Sequence, residues 1–137
     1  ERVYAGANQD YRGALDRWAE ISVDPQLKKE TGEMIDDGYR QFAVRNEAEE
    51  IVALAGVAVH VNLYYGRHLY VYDLVVKEDA RSKGYGGLLM DHVEGIASHE
   101  GCETAALACD LEREGALRLY EGRGYQKPSY AMRKALR

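Results

Sequence analysis

A glycine-rich run is the part of this sequence whose composition most directly suggests chemistry. It reads Arg81-Ser82-Lys83-Gly84-Tyr85-Gly86-Gly87 and is called the glycine loop below. Glycine allows positive φ and close backbone approach, so successive N–H groups can converge on an anion at a helix N-terminus. Arg81 adds a guanidinium for the same phosphates. The loop therefore predicts a pyrophosphate site, although a tight strand-to-helix turn would need glycine for its geometry alone.

The sequence does not contain the glycine-rich motifs of dinucleotide-binding proteins, triphosphate-binding proteins or acyl hydrolases. A dinucleotide-binding fingerprint would need a third glycine where Leu89 stands, and residues 77–83 separate the preceding strand pattern from the glycines. A triphosphate-binding loop needs Gly-Lys followed by Ser or Thr, and an acyl hydrolase needs Gly-x-Ser-x-Gly. His92 and His99 lie two helical turns apart, too far to share an ion, so we predict no metal site.

The elements ahead of the glycine loop are predicted from the spacing of apolar residues. Strands are predicted at residues 2–7, 41–45, 51–61 and 68–76, with a hairpin turn at 46–50. Between the first two strands, apolar residues at helical spacing predict one helix after Asp10 and a second from Pro25 to Gly38.

The elements after the glycine loop complete a mixed α/β fold. Leu89, Val93, Ile96 and Ala97 lie on one face of a helix that Gly101 ends. A short strand at 104–108, a helix at 112–122 and a closing strand at 130–134 follow. Because a helix connects strands 68–76 and 104–108, we expect these two to be parallel and the hairpin strands antiparallel.

Composition narrows the class of protein. A chain of 137 residues is the usual size of one domain. The net charge of −5 argues against a nucleic-acid partner, and the longest apolar run, 51–59, is far shorter than the roughly 20 residues that cross a bilayer, so we expect no membrane partner. With only Cys102 and Cys109 available for a disulfide, the chain suits the reducing cytoplasm.

Three motifs, in order, resemble those of the GCN5-related N-acetyltransferase (GNAT) superfamily. They are Leu74-x-Val76, Arg81-x-x-Gly84-x-Gly86 and Ala116-x-x-Leu119-Tyr120-Glu121-x-x-Gly124-Tyr125. The match is good from about residue 68 to 134 and weaker before it. The resemblance implies one acetyl-CoA-dependent N-acetyltransferase domain over residues 1–137. Its fold would be a mostly antiparallel sheet with a central parallel strand pair and flanking helices.

The resemblance also assigns the donor site. Leu74, Val75 and Val76 would offer backbone groups to the pantetheine arm of acetyl-CoA, and one N–H would face the thioester oxygen. The glycine loop, residues 81–87, would hold the pyrophosphate. Tyr120 would act as general acid toward the departing thiolate; the alternative is an ordinary core tyrosine.

A proton acceptor is needed because a lysine-like amine, with a pKa of about 10.4, is mostly protonated at neutral pH. Asp73 is the first candidate, since it interrupts an apolar strand beside the expected thioester. The alternative is a carboxylate satisfied by backbone N–H groups. Glu112 and Glu114 are lesser candidates. Tyr72 stands where several relatives have glutamate, and Arg113 where an asparagine often contacts the cofactor.

The acceptor is the least determined part of the reaction. Glu30, Glu33, Asp36 and Asp37, with Tyr64 and Tyr65, could attract and stack a cationic amine, or they could be a solvated helix face and turn aromatics. We predict a small primary amine, with a protein lysine or N-terminal amine as the alternative. A non-catalytic acyl-CoA sensor is a further alternative, and a homodimer is expected by analogy with the family.

Overall fold

A five-stranded mixed sheet is the framework of the residues that this computed structural model describes, which are 2–6, 33, 36–109, 114–127 and 131–137. Its strands are β1 (Arg2–Gly6), β2 (Arg40–Arg45), β3 (Ile51–Asn62), β4 (Gly66–Val76) and β5 (Thr104–Leu107). They lie in the order β1-β2-β3-β4-β5. β1 to β4 pair antiparallel and β4 pairs parallel with β5. The predicted mixed, mostly antiparallel sheet with a parallel strand pair is confirmed.

β3 is buried because its sequence is apolar on both faces. Its first eight residues, from Ile51 to Ala58, are all buried. A strand without polar alternation is typical of one that is covered on both sides. Polar and exposed positions begin only near its end, where His60 is half-buried and Val61 is exposed.

Helix α1 (Tyr85–His99) packs on one face of the sheet, against β2, β3 and β4. Its buried stripe includes the predicted Leu89, Val93 and Ala97, and Met90 joins them, whereas Ile96 is only half-buried. On the sheet side, the ring of Phe42 contacts the ring of His92, with 4.9 Å between centroids. Gly101 has a φ of 81°, the left-handed geometry that ends a helix, as predicted.

The chain divides into two compact units, Glu1–Leu107 and Ala108–Arg137. The second contains helix α2 (Glu114–Gly122), and the Lys127 ammonium lies 3.5 Å from the Glu121 carboxylate. The predicted strand at 130–134 is wrong over its described part. Residues 131–137 are exposed and have no regular structure. A strand persists only where a neighbour pairs with its backbone, and no described strand pairs with this segment.

The two helices predicted ahead of β2 lie largely outside the described residues. In the second predicted helix, Glu33 and Asp36 are helical, and the Asp37 N–H donates to the Glu33 carbonyl at 3.1 Å. Gly38 then has a φ of 95°, which agrees with the predicted stop. None of the described helices is long and apolar enough to cross a membrane.

Candidate active site

A β-bulge in β4 brings two consecutive polar side chains to one face of the sheet. Val71 pairs with Val57 and Asp73 pairs with Gly56, so Tyr72 is an extra residue on β4. Strand alternation places His68, Tyr70 and Tyr72 on the same face, opposite to the face that packs on α1. Because the bulge resets the alternation, Asp73 also lies on this face. We call it the tyrosine face.

The same strand runs on beyond its pairing with β5. The parallel register ends at Val71 and Leu107, whereas β4 continues to Val76 with β3 as its described partner. The Lys77 N–H donates to the Val52 carbonyl at 2.8 Å, on the β3 side. Since backbone groups alternate along a strand, the N–H groups of Leu74 and Val76 face the other side. We call the side of residues 72–76 away from β3 the β4 edge.

The glycine loop connects the β4 edge to α1. After a short 3-10 turn, Glu78–Ala80, the backbone takes left-handed φ at Ser82 (64°) and at Gly84 (86°), the N-cap of α1. Gly84 has no side chain to cap the helix, so the first-turn N–H groups are directed outward. Gly86 and Gly87 are helical, so only Gly84 of the three glycines uses positive φ.

The charged side chains of the glycine loop are exposed. Arg81 and Lys83 both face solvent, and the Arg81 Nε–H donates to the Val76 carbonyl at 3.2 Å. This bond holds the guanidinium at the end of the β4 edge. Tyr85, in contrast, is 8% exposed. Its ring therefore anchors the start of α1 in the core, and only its backbone is available to a ligand.

Asp73 is held by a buried pair of residues. The Tyr39 hydroxyl donates to Asp73 Oδ2 at 2.5 Å, and Gln41 Nε2 donates to the Tyr39 hydroxyl at 3.2 Å. Tyr39 and Gln41 are 5% and 3% exposed. Sequence reasoning missed both residues. The available signal was Gly56, a glycine inside an apolar strand pattern, which indicates that another group approaches the backbone closely.

Aromatic side chains surround Asp73 on the tyrosine face. Tyr72 Oη and His60 Nε2 form a 2.8 Å hydrogen bond, and the Tyr72 ring lies 4.8 Å from that of Tyr70 and 5.9 Å from that of Tyr39. Burial is the largest cause that raises the pKa of Tyr72 above its ordinary 10.0, with Tyr70 and Asp37 contributing. Tyr72 is therefore a neutral phenol at physiological pH.

The remaining predicted residues lie in the β3–β4 turn and in α2. The rings of Tyr64 and Tyr65 meet edge to face in the β3–β4 turn with 4.7 Å between centroids, and the Tyr65 ring also contacts His68. Tyr120, in α2, is 9% exposed and its ring contacts Tyr125. Glu114 begins α2 and is exposed.

The other acidic and polar candidates are only partly described. Asp36, Asp37 and Glu33 are exposed, whereas Glu30, Glu112 and Arg113 lie outside the described residues. Within the described ranges, no group of three or more His, Cys, Asp or Glu side chains could hold a metal ion.

Comparison with known proteins places the chain in a family. The sequence model of the acetyltransferase (GNAT) family matches residues 3–125. An uncharacterized N-acetyltransferase of Bacillus subtilis (strain 168), YhdJ, is 33% identical over 116 residues, which cover 84% of this chain and 81% of the relative. The chain therefore belongs to the GNAT family of acyl-CoA-dependent N-acetyltransferases, and the predicted enzyme class is confirmed.

Solved structures show the same fold. A Pyrococcus furiosus protein assigned as an acetyl transferase has a TM-score of 0.81 at 21% identity, covering 98% of this chain and 99% of that one. An aminoglycoside acetyltransferase from an uncultured soil metagenomic sample, in complex with sisomicin, has a TM-score of 0.78 at 18% identity, covering 99% and 96%. At these identities the likeness concerns the fold alone.

Proposed function

We propose that this chain transfers an acetyl group from acetyl-CoA to the primary amine of a small molecule, by direct attack with both substrates bound. The observation that carries the proposal is the continuity of the β4 edge with the glycine loop. Backbone N–H groups of Leu74 and Val76 face away from β3, and the glycine loop then leads the chain to the uncapped N-terminus of α1. A thioester with a charged tail needs both kinds of donor.

The donor half of the proposal uses backbone and charge. Leu74, Val75 and Val76 would line the pantetheine arm, and a preorganised N–H at the β4 edge would stabilise negative charge on the thioester oxygen. Residues 81–87 would hold the pyrophosphate, through the first-turn N–H groups of α1 and the exposed cations Arg81 and Lys83. Acetyl-CoA itself supplies an activated acetyl group.

The acceptor half depends on removal of a proton. At pH 7, deprotonation of an amine with a pKa of about 10.4 costs about 4.6 kcal/mol. Asp73 is half-buried on the tyrosine face, where its carboxylate would orient the ammonium group and pass its proton on, directly or through water. Tyr120 would donate a hydrogen bond to the departing sulfur. Full proton transfer from phenol to thiolate is uphill by about 2 kcal/mol on reference values, so donation suffices.

The surroundings of Asp73 support a cationic small-molecule acceptor. The Asp73 carboxylate lies beside the exposed ring of Tyr72, so a primary ammonium group would find both charge pairing and cation–π contact there. Asp37, whose charge acts on Tyr72, adds negative potential beside the same face. The structural neighbour bound to sisomicin has the same fold with an aminoglycoside as ligand, which is compatible with this class of acceptor.

Four further proposals concern the extent of the domain, its cellular location, its partners and its oligomeric state. We infer that residues 1–137 act as one acetyltransferase domain, which the family match over 3–125 supports because it crosses both compact units. We retain the cytoplasm as the site of action and expect no nucleic-acid or membrane partner. The homodimer stays a prediction, which light scattering on the purified protein would check.

The proposal is tested first at the donor site. Titration calorimetry with acetyl-CoA should show binding to the unmodified protein. The double variant Arg81→Ala/Lys83→Ala should weaken it about 10- to 100-fold, the range for lost hydrogen bonds between charged groups. Arg133→Ala/Lys134→Ala makes the same charge change at exposed positions with no regular structure and is the matched control. An equal loss in both variants would indicate a general charge effect, and no binding at all would refute every CoA-based function.

The acceptor class is tested by release of free thiol from acetyl-CoA. Spermidine, tyramine and a lysine-containing peptide represent a polyamine, an aromatic amine and a protein acceptor. We expect turnover with a small amine to exceed turnover with the peptide. The reverse order would favour the protein-acetylating alternative, and acetyl-CoA binding without turnover of any amine would favour the sensor.

A further inference from the structure

Tyr39 makes a contact that the proposed function does not explain by itself. It stands immediately before β2 and is almost fully buried, yet its hydroxyl is directed at the carboxylate of Asp73, 34 positions later in the chain. The same hydroxyl accepts a hydrogen bond from the buried Gln41 amide. A phenol held by one partner and donating to a second has a fixed direction.

Gly56 provides the space that this contact needs. It pairs with Gln41 on β2 and with Asp73 on β4, so it lies between the two polar groups. A Cβ at position 56 would lie 1.8 Å from Tyr39 Oη and 2.5 Å from Cζ. The end of the tyrosine ring therefore occupies the position of the missing side chain. Without a glycine here, the ring could not cross β3 to reach Asp73.

The bulge closes the other side of Asp73. Tyr72, the extra residue, lies on the tyrosine face beside it, and its ring meets the Tyr39 ring edge to face at 5.9 Å. His60 in turn holds the Tyr72 hydroxyl at 2.8 Å. Asp73 is thus flanked by two tyrosines whose own hydroxyls each have a hydrogen-bond partner.

We propose that Tyr39 is a positioning residue that orients the Asp73 carboxylate for the acceptor amine, with Gly56 as the residue that permits it. The inference rests on the proposed role of Asp73 as proton acceptor. A hydrogen bond to Oδ2 fixes the rotamer and plane of the carboxylate, and small misplacements of a catalytic group lower the rate strongly. Tyr39 acts through Asp73 and does not itself touch the substrate.

A double-mutant cycle separates positioning from simple stabilisation. It uses Tyr39→Phe, which keeps the ring and removes the hydroxyl, Asp73→Asn, and the combination of both. The assay measures kcat/KM with acetyl-CoA and whichever of spermidine, tyramine or the lysine peptide turns over fastest. Tyr39→Phe should lower kcat/KM about tenfold, as expected for a hydrogen bond to a charged group, with the loss mainly in kcat. In the Asp73→Asn background, Tyr39→Phe should have no further effect.

Each outcome has a distinct meaning. The positioning role is overturned if Asp73→Asn loses activity while Tyr39→Phe keeps full activity. It is also overturned if Tyr39→Phe lowers kcat/KM equally in the parent and in the Asp73→Asn variant. Full activity of Asp73→Asn refutes the proposed role of Asp73 instead, so the two failures are distinguishable. Titration calorimetry with acetyl-CoA serves as the structural control. Its Kd should be unchanged in all three variants, because the donor residues lie on the β4 edge and in the glycine loop.

Discussion

Replacing Gly56 by alanine adds one methyl group at the most restricted glycine among those with described surroundings. The new Cβ would meet Tyr39 Oη at 1.8 Å, Cζ at 2.5 Å and Cε1 at 2.7 Å. Contacts below 3.0 Å do not persist, so the hydroxyl must retreat by about 1 Å. Its hydrogen bond to Asp73 Oδ2 starts at 2.5 Å, and at about 3.5 Å it is no longer a hydrogen bond.

The expected cost follows from these distances. Overpacking of a buried site destabilises by about 1–3 kcal/mol, and the lost bond to a charged group adds about 1.5–3 kcal/mol. The lower backbone entropy of unfolded alanine offsets about 0.5–1 kcal/mol. A net loss of about 1.5–5.5 kcal/mol in the free energy of unfolding should lower Tm by about 5–20 °C in a chain of this size.

Calorimetry or circular dichroism measures this shift, and Gly95→Ala is the matched control. Gly95 is exposed on α1 with nothing near its Cβ position, so alanine there should raise the free energy of unfolding by about 0.5–1 kcal/mol. Truncating the ring by Tyr39→Ala should remove most of the Gly56→Ala penalty. A Gly56→Ala protein as stable as the parent would refute the placement of the Tyr39 ring over Gly56.

Two further predictions concern other tyrosines. Tyr120→Phe should lower kcat about 10- to 100-fold, as a lost hydrogen bond to developing charge requires, and leave the Kd of acetyl-CoA unchanged; Tyr125→Phe is the control, and equal kcat in both variants would exclude the general-acid role. Folding raises the pKa of Tyr72 above its ordinary 10.0, so at a pH above about 10 the unfolded chain loses the Tyr72 proton before the folded protein does. The free energy of unfolding therefore falls as the pH rises from about 10 toward the raised pKa. Melting curves from pH 9 to 11 should show a smaller loss for Tyr72→Phe than for the parent, and identical slopes would contradict the raised pKa.

Much of the fold was predictable because its signals are local. The apolar run of β3, the helical stripe of α1 and the stop at Gly101 depend on residues a few positions apart. The glycine loop was located for the same reason. Its conformation was less predictable, since Ser82 takes a left-handed φ while Gly86 and Gly87 are helical.

The contacts around Asp73 could not be predicted because they depend on long-range register. Asp73 was selected because it interrupts an apolar strand beside the expected thioester, but Tyr39 approaches it from the residue before β2, across Gly56. That approach exists only in the observed alignment of β2, β3 and β4. The closing strand predicted at 130–134 was wrong over residues 131–134 for a related reason. Strand propensity alone does not supply a pairing partner.

The bulge at Tyr72 has a consequence for how this enzyme can change. Val71 and Asp73, on either side of Tyr72, pair with the consecutive β3 residues Val57 and Gly56. Tyr72 itself therefore has no partner in the pairing of β3 with β4. Its deletion would leave every strand pair in place and keep Asp73 on the same face, and its side chain is 45% exposed. On the proposed function, position 72 is therefore a site where acceptor preference can evolve by substitution, or even by loss of one residue, while the pairing of β3 with β4 is kept.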